Sequence, residues 1–268
     1  MQKPRYLSWI VEDEWITLNN KTPLNCYKLN YQLNEDVLDD WALHIRRHYE
    51  SDDDILSDAS LNNMSVEEYL HEYIIPQKDD VLGSTARSSD ITEILIADLL
   101  EFVFNYSVPR CKQRNRSGKC NSEHGTDVIA YRFSRKDKVP SVKDELIAAE
   151  VKAELTSKNY NVISKAVNDS HKDDFRLART IDYYRKKLIM IGNLSASEEV
   201  ARFLIKPENE YKTIFVAAGI SSVENVERNI EIDVQGDKLI INSNQKVFYI
   251  HGKDLMTLTH QIYERCIR

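Results

Sequence analysis

The sequence predicts an α/β fold: a mixed sheet flanked by helices, preceded by a small α+β N-terminal region. Three observations favour this fold. The run 91–104 is long, mostly apolar and free of glycine and proline, which predicts a buried helix. The runs 127–133 and 146–153 alternate in the manner of strands, and helical and strand-like segments follow them in turn.

The N-terminal region is predicted to contain a strand, a helix, an acidic loop and a short second helix. The strand covers 26–33, the first helix covers 35–49, and the short helix begins near Ser65 because Ser65-Val66-Glu67-Glu68 is a capping box. The polar stretch 78–84, which contains a glycine, predicts a boundary. We therefore divide the chain into an acidic N-terminal docking or regulatory region, 1–80, and a core, 81–268.

In the core, a basic, glycine-containing loop follows the buried helix. The two strand-like runs after it are predicted to form a hairpin. The remaining predicted elements are helical structure from 159 to 190, strands at 213–217 and 246–250, and a closing helix at 254–266.

Composition indicates a globular, enzyme-sized protein in a reducing compartment. The chain has 268 residues, of which 42% are hydrophobic, enough for a substantial core. No apolar run approaches the ~18 residues of a membrane span, and the first residues lack the apolar run of a signal peptide. Four scattered cysteines do not make a disulfide framework, so a cytoplasmic location is expected.

Charge is distributed unevenly along the chain. The net charge is −7, but residues 1–80 carry 7 basic and 17 acidic residues whereas residues 81–268 carry 29 and 26. Segment 110–138 holds nine basic residues against three acids. That segment could contact phosphates, although basic loops are also commonly just solvated.

Two charged residues interrupt the apolar pattern of the second hairpin strand. Glu150 and Lys152 are two positions apart, so they project from the same face, and Asp127 stands at the start of the partner strand. Charges on a buried strand are costly unless they are paired or neutralise a ligand. The arrangement predicts a metal-dependent site for phosphodiester cleavage.

Magnesium or manganese suits this donor set because both ions accept oxygen ligands. Asp127, Glu150 and the backbone carbonyl of Val151 are the expected metal ligands. Lys152 is expected to orient or help deprotonate the attacking water and to offset phosphate charge. Burial next to cations is expected to ease deprotonation of its ammonium.

The arrangement of Asp127 with Glu150-X-Lys152 resembles the PD-(D/E)XK nuclease superfamily, which implies a restriction-endonuclease-like core. Thr126 stands where that pattern has proline. The resemblance also implies a glutamate on the preceding helix as a catalytic and metal-binding residue, and Glu93 matches it. Alternatively, Asp90 and Glu93 form a capping box at a helix N-terminus.

Three motifs carry a closer resemblance: 90–95 (DITEIL), 124–127 (HGTD) and 149–152 (AEVK). Residues 81–268 resemble the nuclease subunit of Hachiman-type antiphage defence, the HamA family and the related AbpA. The resemblance implies a DNA nuclease that works with a superfamily 2 helicase encoded alongside it.

Basic residues near the site are candidates for binding nucleic acid. Lys172, Arg176 and Arg179 are spaced to form one helical stripe with Tyr183, although the interleaved acids also fit a solvated face. The full candidate set is Arg114, Arg116, Lys119, His124, Arg132, Lys172, Arg176 and Arg179.

Other interpretations compete with the nuclease hypothesis. Cys111, Cys120 and His124 lie near one another, but their spacing is not that of a zinc knuckle. Neither a nucleophile elbow nor a phosphate-binding P-loop motif occurs. The alternative from another functional class is a non-catalytic DNA-binding or scaffolding subunit of a helicase complex, in which the same charges form an ion-pair network.

Overall fold

Seven strands form one mixed sheet in the computed structural model, which describes residues 2–13, 16–17, 23–123, 125–156, 161–204, 210–222 and 239–268. The strands are β1 (Ile10–Glu12), β2 (Ile16–Thr17), β3 (Pro23–Leu29), β4 (Val128–Arg132), β5 (Glu145–Glu154), β6 (Lys212–Ser222) and β7 (Gln245–Gly252). Their order is β1-β3-β7-β6-β5-β4, and β2 also pairs with β3.

The centre of the sheet is parallel and its edges are antiparallel. β3, β7, β6 and β5 pair in parallel, whereas β1 and β2 run antiparallel to β3, and β4 runs antiparallel to β5. The predicted hairpin is confirmed, with Val128 opposite Ala149. A mixed α/β fold is therefore confirmed at the level of layers and strand directions.

Eight α-helices occur in the described part of the chain. They are α1 (Glu35–Tyr49), α2 (Asp52–Leu61), α3 (Val66–Tyr69), α4 (Gly83–Asp98), α5 (Val162–Ser170), α6 (Asp173–Met190), α7 (Leu194–Ala201) and α8 (Leu255–Cys266). α1 matches its predicted bounds, and the predicted capping box at Ser65 is present. The predicted acidic loop is wrong: Ser51 caps α2, and three aspartates in its first turn suit the positive end of the helix dipole.

α4 begins at Gly83, well before the predicted start of the buried helix. It ends at Asp98 and continues as a π-helical turn, Leu99–Val103. Asp90 and Glu93 consequently lie in the middle of the helix, so the capping-box interpretation of this pair is wrong. Both side chains are buried.

Helices cover both faces of the sheet, and β5 shows how the sequence directs this. Ile147, Ala149 and Val151 pack into the core that contains α1, α4 and α8, whereas Leu146 and Ala148 pack against α6 and α7. Alternate side chains of β5 thus pack into two different hydrophobic layers, one on each face of the sheet. No helix in the described ranges has the length and apolar character needed to cross a bilayer.

The N-terminal region shares this sheet and this core. β3 pairs with β7 in parallel, and α1 packs on α8. Trp41 of α1 is 1% exposed and stacks on Tyr6 at 3.9 Å between ring centroids. The sheet therefore crosses the predicted boundary at residue 80, while the docking role proposed for 1–80 stays a prediction.

Because the N-terminal helix shares the main core, we expect Trp41→Ala to lower the free energy of unfolding of the whole chain by about 3–5 kcal/mol. Urea unfolding followed by circular dichroism measures the change. Leu61→Ala is the control, since Leu61 is 81% exposed. Two separate transitions, only one of them sensitive to Trp41→Ala, would contradict a shared core.

Candidate active site

Glu150 and Lys152 project together from β5, as the alternation predicts. The Lys152 ammonium lies 2.7 Å from Glu150 Oε1 and 3.0 Å from Asp169 Oδ2, at the end of α5. The other carboxylate oxygen of Glu150, Oε2, is buried and has no hydrogen-bond partner. Oε1 of this carboxylate is therefore paired with an ammonium, whereas Oε2 has no hydrogen-bond donor among the described residues.

Asp127 immediately precedes β4 and reaches across the hairpin. Its Oδ2 accepts a hydrogen bond from the Val151 amide at 2.8 Å, and its Oδ1 accepts one from the Lys112 ammonium at 2.9 Å. The structure thus brings Asp127 beside the Glu150-Val151-Lys152 triplet. The predicted ligand role of the Val151 carbonyl stays a prediction.

Glu93 enters the site from α4 through Lys112. Lys112 Nζ lies 3.3 Å from Glu93 Oε2, and the Lys112 side chain is only 4% exposed. Gln113 donates a second hydrogen bond to Glu93 at 3.2 Å. Lys112 therefore bridges Glu93 and Asp127. From the sequence, Lys112 was only one of several cations in a basic loop. Its contacts with Glu93 and Asp127 form only when the chain folds, so they could not be predicted from spacing.

Asp173 is a fourth carboxylate that sequence reasoning missed. It is fully buried at the start of α6, where its Oδ1 accepts a hydrogen bond from the Thr126 hydroxyl at 2.9 Å. Its Oδ2 is buried without a partner. The Thr126 amide also donates to Thr180 Oγ1 at 3.4 Å, a contact that proline cannot make. The departure from the superfamily pattern thus supports the loop before Asp127.

Gly125 explains how that loop lies so close to α6. Its φ is +100°, and a Cβ at this position would meet Thr180 Oγ1 at 3.2 Å. The positive φ therefore favours glycine, and a side chain here would also crowd Thr180.

A cleft of about 430 Å³ opens between α4 and the C-terminal half of β5. Asp127, Val151 and Lys152 line it on the sheet side, and Glu93 lines it from α4. The α4 wall also presents hydroxyl side chains: Ser84, Thr85, Ser88, Ser89 and Thr92. Three of the four predicted catalytic residues, Glu93, Asp127 and Lys152, thus line an open, polar cleft, whereas Glu150 is buried beside it.

The HamA family model matches residues 4–266. The chain belongs to the HamA family. This confirms the family resemblance and extends it from the predicted 81–268 to nearly the whole chain. Membership points to a role in Hachiman-type defence together with a partner of that system. No curated protein sequence matches the chain.

Burial raises the pKa of three carboxyls in this HamA-family site. Desolvation, reinforced by the charge of Asp127, raises the pKa of Glu150 to about 7. Desolvation also raises the pKa of Glu93 to about 8, against the opposing effect of Lys112. The pKa of Asp173 rises to about 6, again mainly through burial. The site therefore holds protons near neutral pH.

The donor set fits a divalent cation that prefers oxygen. Glu150 Oε2 and Asp173 Oδ2 are buried and unpaired, and such oxygens need a cation or a proton. Within the described ranges, however, the side-chain groups close enough to share an ion do not include Glu93, Asp127 and Glu150 together. Lys112 lies between two of the predicted ligands, so joint coordination requires side-chain rearrangement.

The expected easy deprotonation of Lys152 is wrong. Burial alone lowers the pKa of its ammonium, but the hydrogen bond and charge of Glu150, with Asp169 and Asp127, raise that pKa above its ordinary value. The neighbours of Lys152 are acids rather than the cations that the sequence suggested. Lys152 is therefore a persistent ammonium in this structure.

Part of the predicted nucleic-acid surface borders the site. Lys172 is exposed and pairs with Asp169 at 2.5 Å, so it shares an acid with Lys152. Arg176 Nε donates to the Lys172 carbonyl, and Arg179 is exposed one turn further on. These three cations remain candidates for phosphate contacts.

Several predicted contacts lie elsewhere. Arg116 is corrected: its side chain is 5% exposed and forms a bidentate pair with Asp90, so it does not face a phosphate in solvent. Arg132 pairs with Glu145 at the opposite end of β5, about 17 Å along the strand from Glu150.

The remaining members of the basic loop contact the N-terminal region. Arg114 donates to the Arg47 carbonyl at 3.2 Å, and Lys119 pairs with Asp80 at 2.9 Å. His124 lies outside the described residues.

The zinc alternative finds no support in the described ranges. Cys111 is buried in the core beneath β4, whereas Cys120 lies 3.7 Å from Asp80 Oδ2. No group of potential ligands found among the described residues contains either cysteine. None of the four cysteines, all of which are among the described residues, forms a disulfide.

We expect Mn²⁺ affinity to rise with pH between about 6 and 8, the range spanned by the pKa values of Asp173, Glu150 and Glu93. A cation must displace the protons that these carboxyls hold, so binding strengthens as each proton is lost. Calorimetric titration in buffers of different ionisation enthalpy measures affinity and proton release. Glu198→Gln, at an exposed glutamate, is the control. A pH-independent affinity would be inconsistent with this site.

We expect Thr126→Val to lower the free energy of unfolding by about 1–3 kcal/mol, because Asp173 loses the partner of its Oδ1 while it stays buried. Chemical denaturation gives the value. Thr257→Val is matched in chemistry but lies on an exposed face of α8. Equal stability of the two variants would show that the Thr126 hydroxyl does not support this loop.

Proposed function

We propose that the chain is a Mg²⁺-dependent DNA nuclease with a restriction-endonuclease-like core of the PD-(D/E)XK type. One observation carries the proposal: Asp127 meets Glu150-Val151-Lys152 across an antiparallel hairpin, and one Glu150 oxygen is left buried and unpaired. Glu93 joins from the preceding helix. In Hachiman-type defence, the nuclease acts with a superfamily 2 helicase.

The roles of the side chains follow from their donors and charges. Asp127 and Glu150, with Glu93, supply the oxygens for the ion. When bound, Mg²⁺ lowers the pKa of a coordinated water and neutralises charge on the phosphoryl oxygens. Lys152 remains an ammonium, so its role is to hold a phosphate or water oxygen by charge and hydrogen bonds rather than to accept a proton.

Lys112 pairs with both Glu93 and Asp127, so these carboxylates would have to exchange that ammonium for the ion. Thr126, next to Asp127, donates a hydrogen bond to Asp173 at the start of α6, and this contact anchors the loop that carries Asp127.

The cleft suits a nucleic-acid strand. Serine and threonine hydroxyls are common donors to phosphate oxygens, and Thr85, Ser88 and Ser89 of α4 line the cleft. Lys172, Arg176 and Arg179 add three cations, the first of which shares Asp169 with Lys152. With a net charge of −7, the isolated chain is expected to bind DNA weakly, and a helicase partner would then deliver the strand.

The alternative, a non-catalytic subunit of a helicase complex, rests on a different observation. Lys112 already bridges Glu93 and Asp127, and Lys152 already bridges Glu150 and Asp169. In that function these contacts are a closed ion-pair network that shapes the surface for a partner.

We expect Glu150→Gln and Lys152→Met each to lower DNA cleavage by about 10²–10⁴-fold, since each removes a group that acts on the reacting phosphate. Cleavage of plasmid and linear DNA is measured with the helicase present, with Mg²⁺ and with a chelator. Glu198→Gln and Lys186→Met are the matched controls on exposed helix faces.

Equal, Mg²⁺-independent cleavage by the wild type and both site variants would refute the nuclease assignment. Absence of cleavage, with helicase binding retained by Glu150→Gln, would favour the non-catalytic function.

A further inference from the structure

A second group of potential metal ligands lies away from the cleft, where the N-terminal segment meets the sheet. Cys26 is on β3, His251 is on β7, and Asp13 directly follows β1. The thiol sulfur, one imidazole nitrogen and one carboxylate oxygen all lie within 4.8 Å of one another. Three separate segments of the chain thus direct three different donors at one point.

The three donors are held in place by the sheet. His251 Nε2 lies 2.8 Å from Asp13 Oδ2, and the Asp13 amide donates to the Cys26 carbonyl at 2.9 Å. The His251 ring stacks on Tyr249, with 5.9 Å between ring centroids. Cys26 is 2% exposed and His251 is 5% exposed, so two of the donors are fixed inside the protein.

We propose that Asp13, Cys26 and His251 bind Zn²⁺, with a water in the fourth position. Sulfur, imidazole nitrogen and carboxylate oxygen are the ligands that Zn²⁺ takes in proteins, whereas Mg²⁺ prefers oxygen alone. A thiolate and a carboxylate together balance the charge of the ion. Binding releases the thiol proton to solvent as the sulfur–metal bond forms.

Burial argues against a nucleophilic role for the thiol. The Cys26 side chain projects from β3 and packs against α5, in the cluster that contains Val162 and Val167. A substrate therefore cannot reach its sulfur. A ligand the size of a single ion is compatible with that enclosure.

A second group of potential ligands in the described ranges comprises His44, His48 and Asp98. There the guanidinium of Arg110 lies 2.6 Å from His48 Nε2 and 2.6 Å from Asp98 Oδ1. A cation of the protein already takes the place of an ion in that group, so we assign no metal to it.

Cobalt is the probe for the proposed zinc site. Protein stripped with a chelator is titrated with Co²⁺, and we expect one equivalent to produce a near-ultraviolet thiolate-to-cobalt charge-transfer band that Zn²⁺ abolishes. Cys26→Ser is expected to lose the band, and His251→Gln to lose at least about tenfold in affinity, or 1.4 kcal/mol. Cys266→Ser, at another buried cysteine, and Glu150→Gln are expected to retain both.

Thermal unfolding with and without Zn²⁺ gives an independent measure, because an ion that binds only the folded chain raises Tm. We expect Zn²⁺ to raise the Tm of the wild type, Cys266→Ser and Glu150→Gln, but not that of Cys26→Ser. A wild-type cobalt spectrum without a sulfur band would overturn the proposal even if Cys26→Ser failed to fold. So would an unchanged band in folded Cys26→Ser. Neither result depends on nuclease activity.

Discussion

The charge pairing between α4 and the basic loop after it is the constraint on which the rest of the structure depends. A helix buried against the sheet carries three acids that water cannot solvate, and each is paired with a cation of the loop. The pairs are Asp90 with Arg116 at 2.6 Å, Glu93 with Lys112 at 3.3 Å and Asp98 with Arg110 at 2.6 Å. The loop therefore runs back along the helix and brings Lys112 to Asp127.

The same pairing links stability to chemistry. Asp98 also accepts a hydrogen bond from Tyr6 at 2.5 Å and contacts His44 of α1, so the loop, the N-terminal helix and α4 share one buried carboxylate. In the middle pair, Lys112 also contacts Asp127. Separate ion pairs along one helix thus contact the N-terminal region at Asp98 and the candidate active site at Glu93.

Local patterns predicted the parts of the fold that depend on near neighbours. Alternation placed Glu150 and Lys152 on one face, and capping chemistry placed the start of α3 at Ser65. Contacts between distant residues could not be read in this way. Asp173 lies 47 positions from Thr126, and Arg116 pairs with an acid 26 positions away, so neither partner is visible as spacing. The basic composition of the loop suggested cations available to phosphate, but Lys112 and Arg116 are paired with buried acids in the folded chain.

Pairing of β3 with β7 has a mechanical consequence. Only β7 and β6 lie between β3 and the strand that carries Glu150, and adjacent strands are about 4.8 Å apart, so β3 lies ~14 Å from that strand. A protein bound to the first eighty residues would therefore contact the same hydrogen-bonded sheet that carries Glu150. A displacement of β3 would act on β5 through the backbone hydrogen bonds of only two intervening strands.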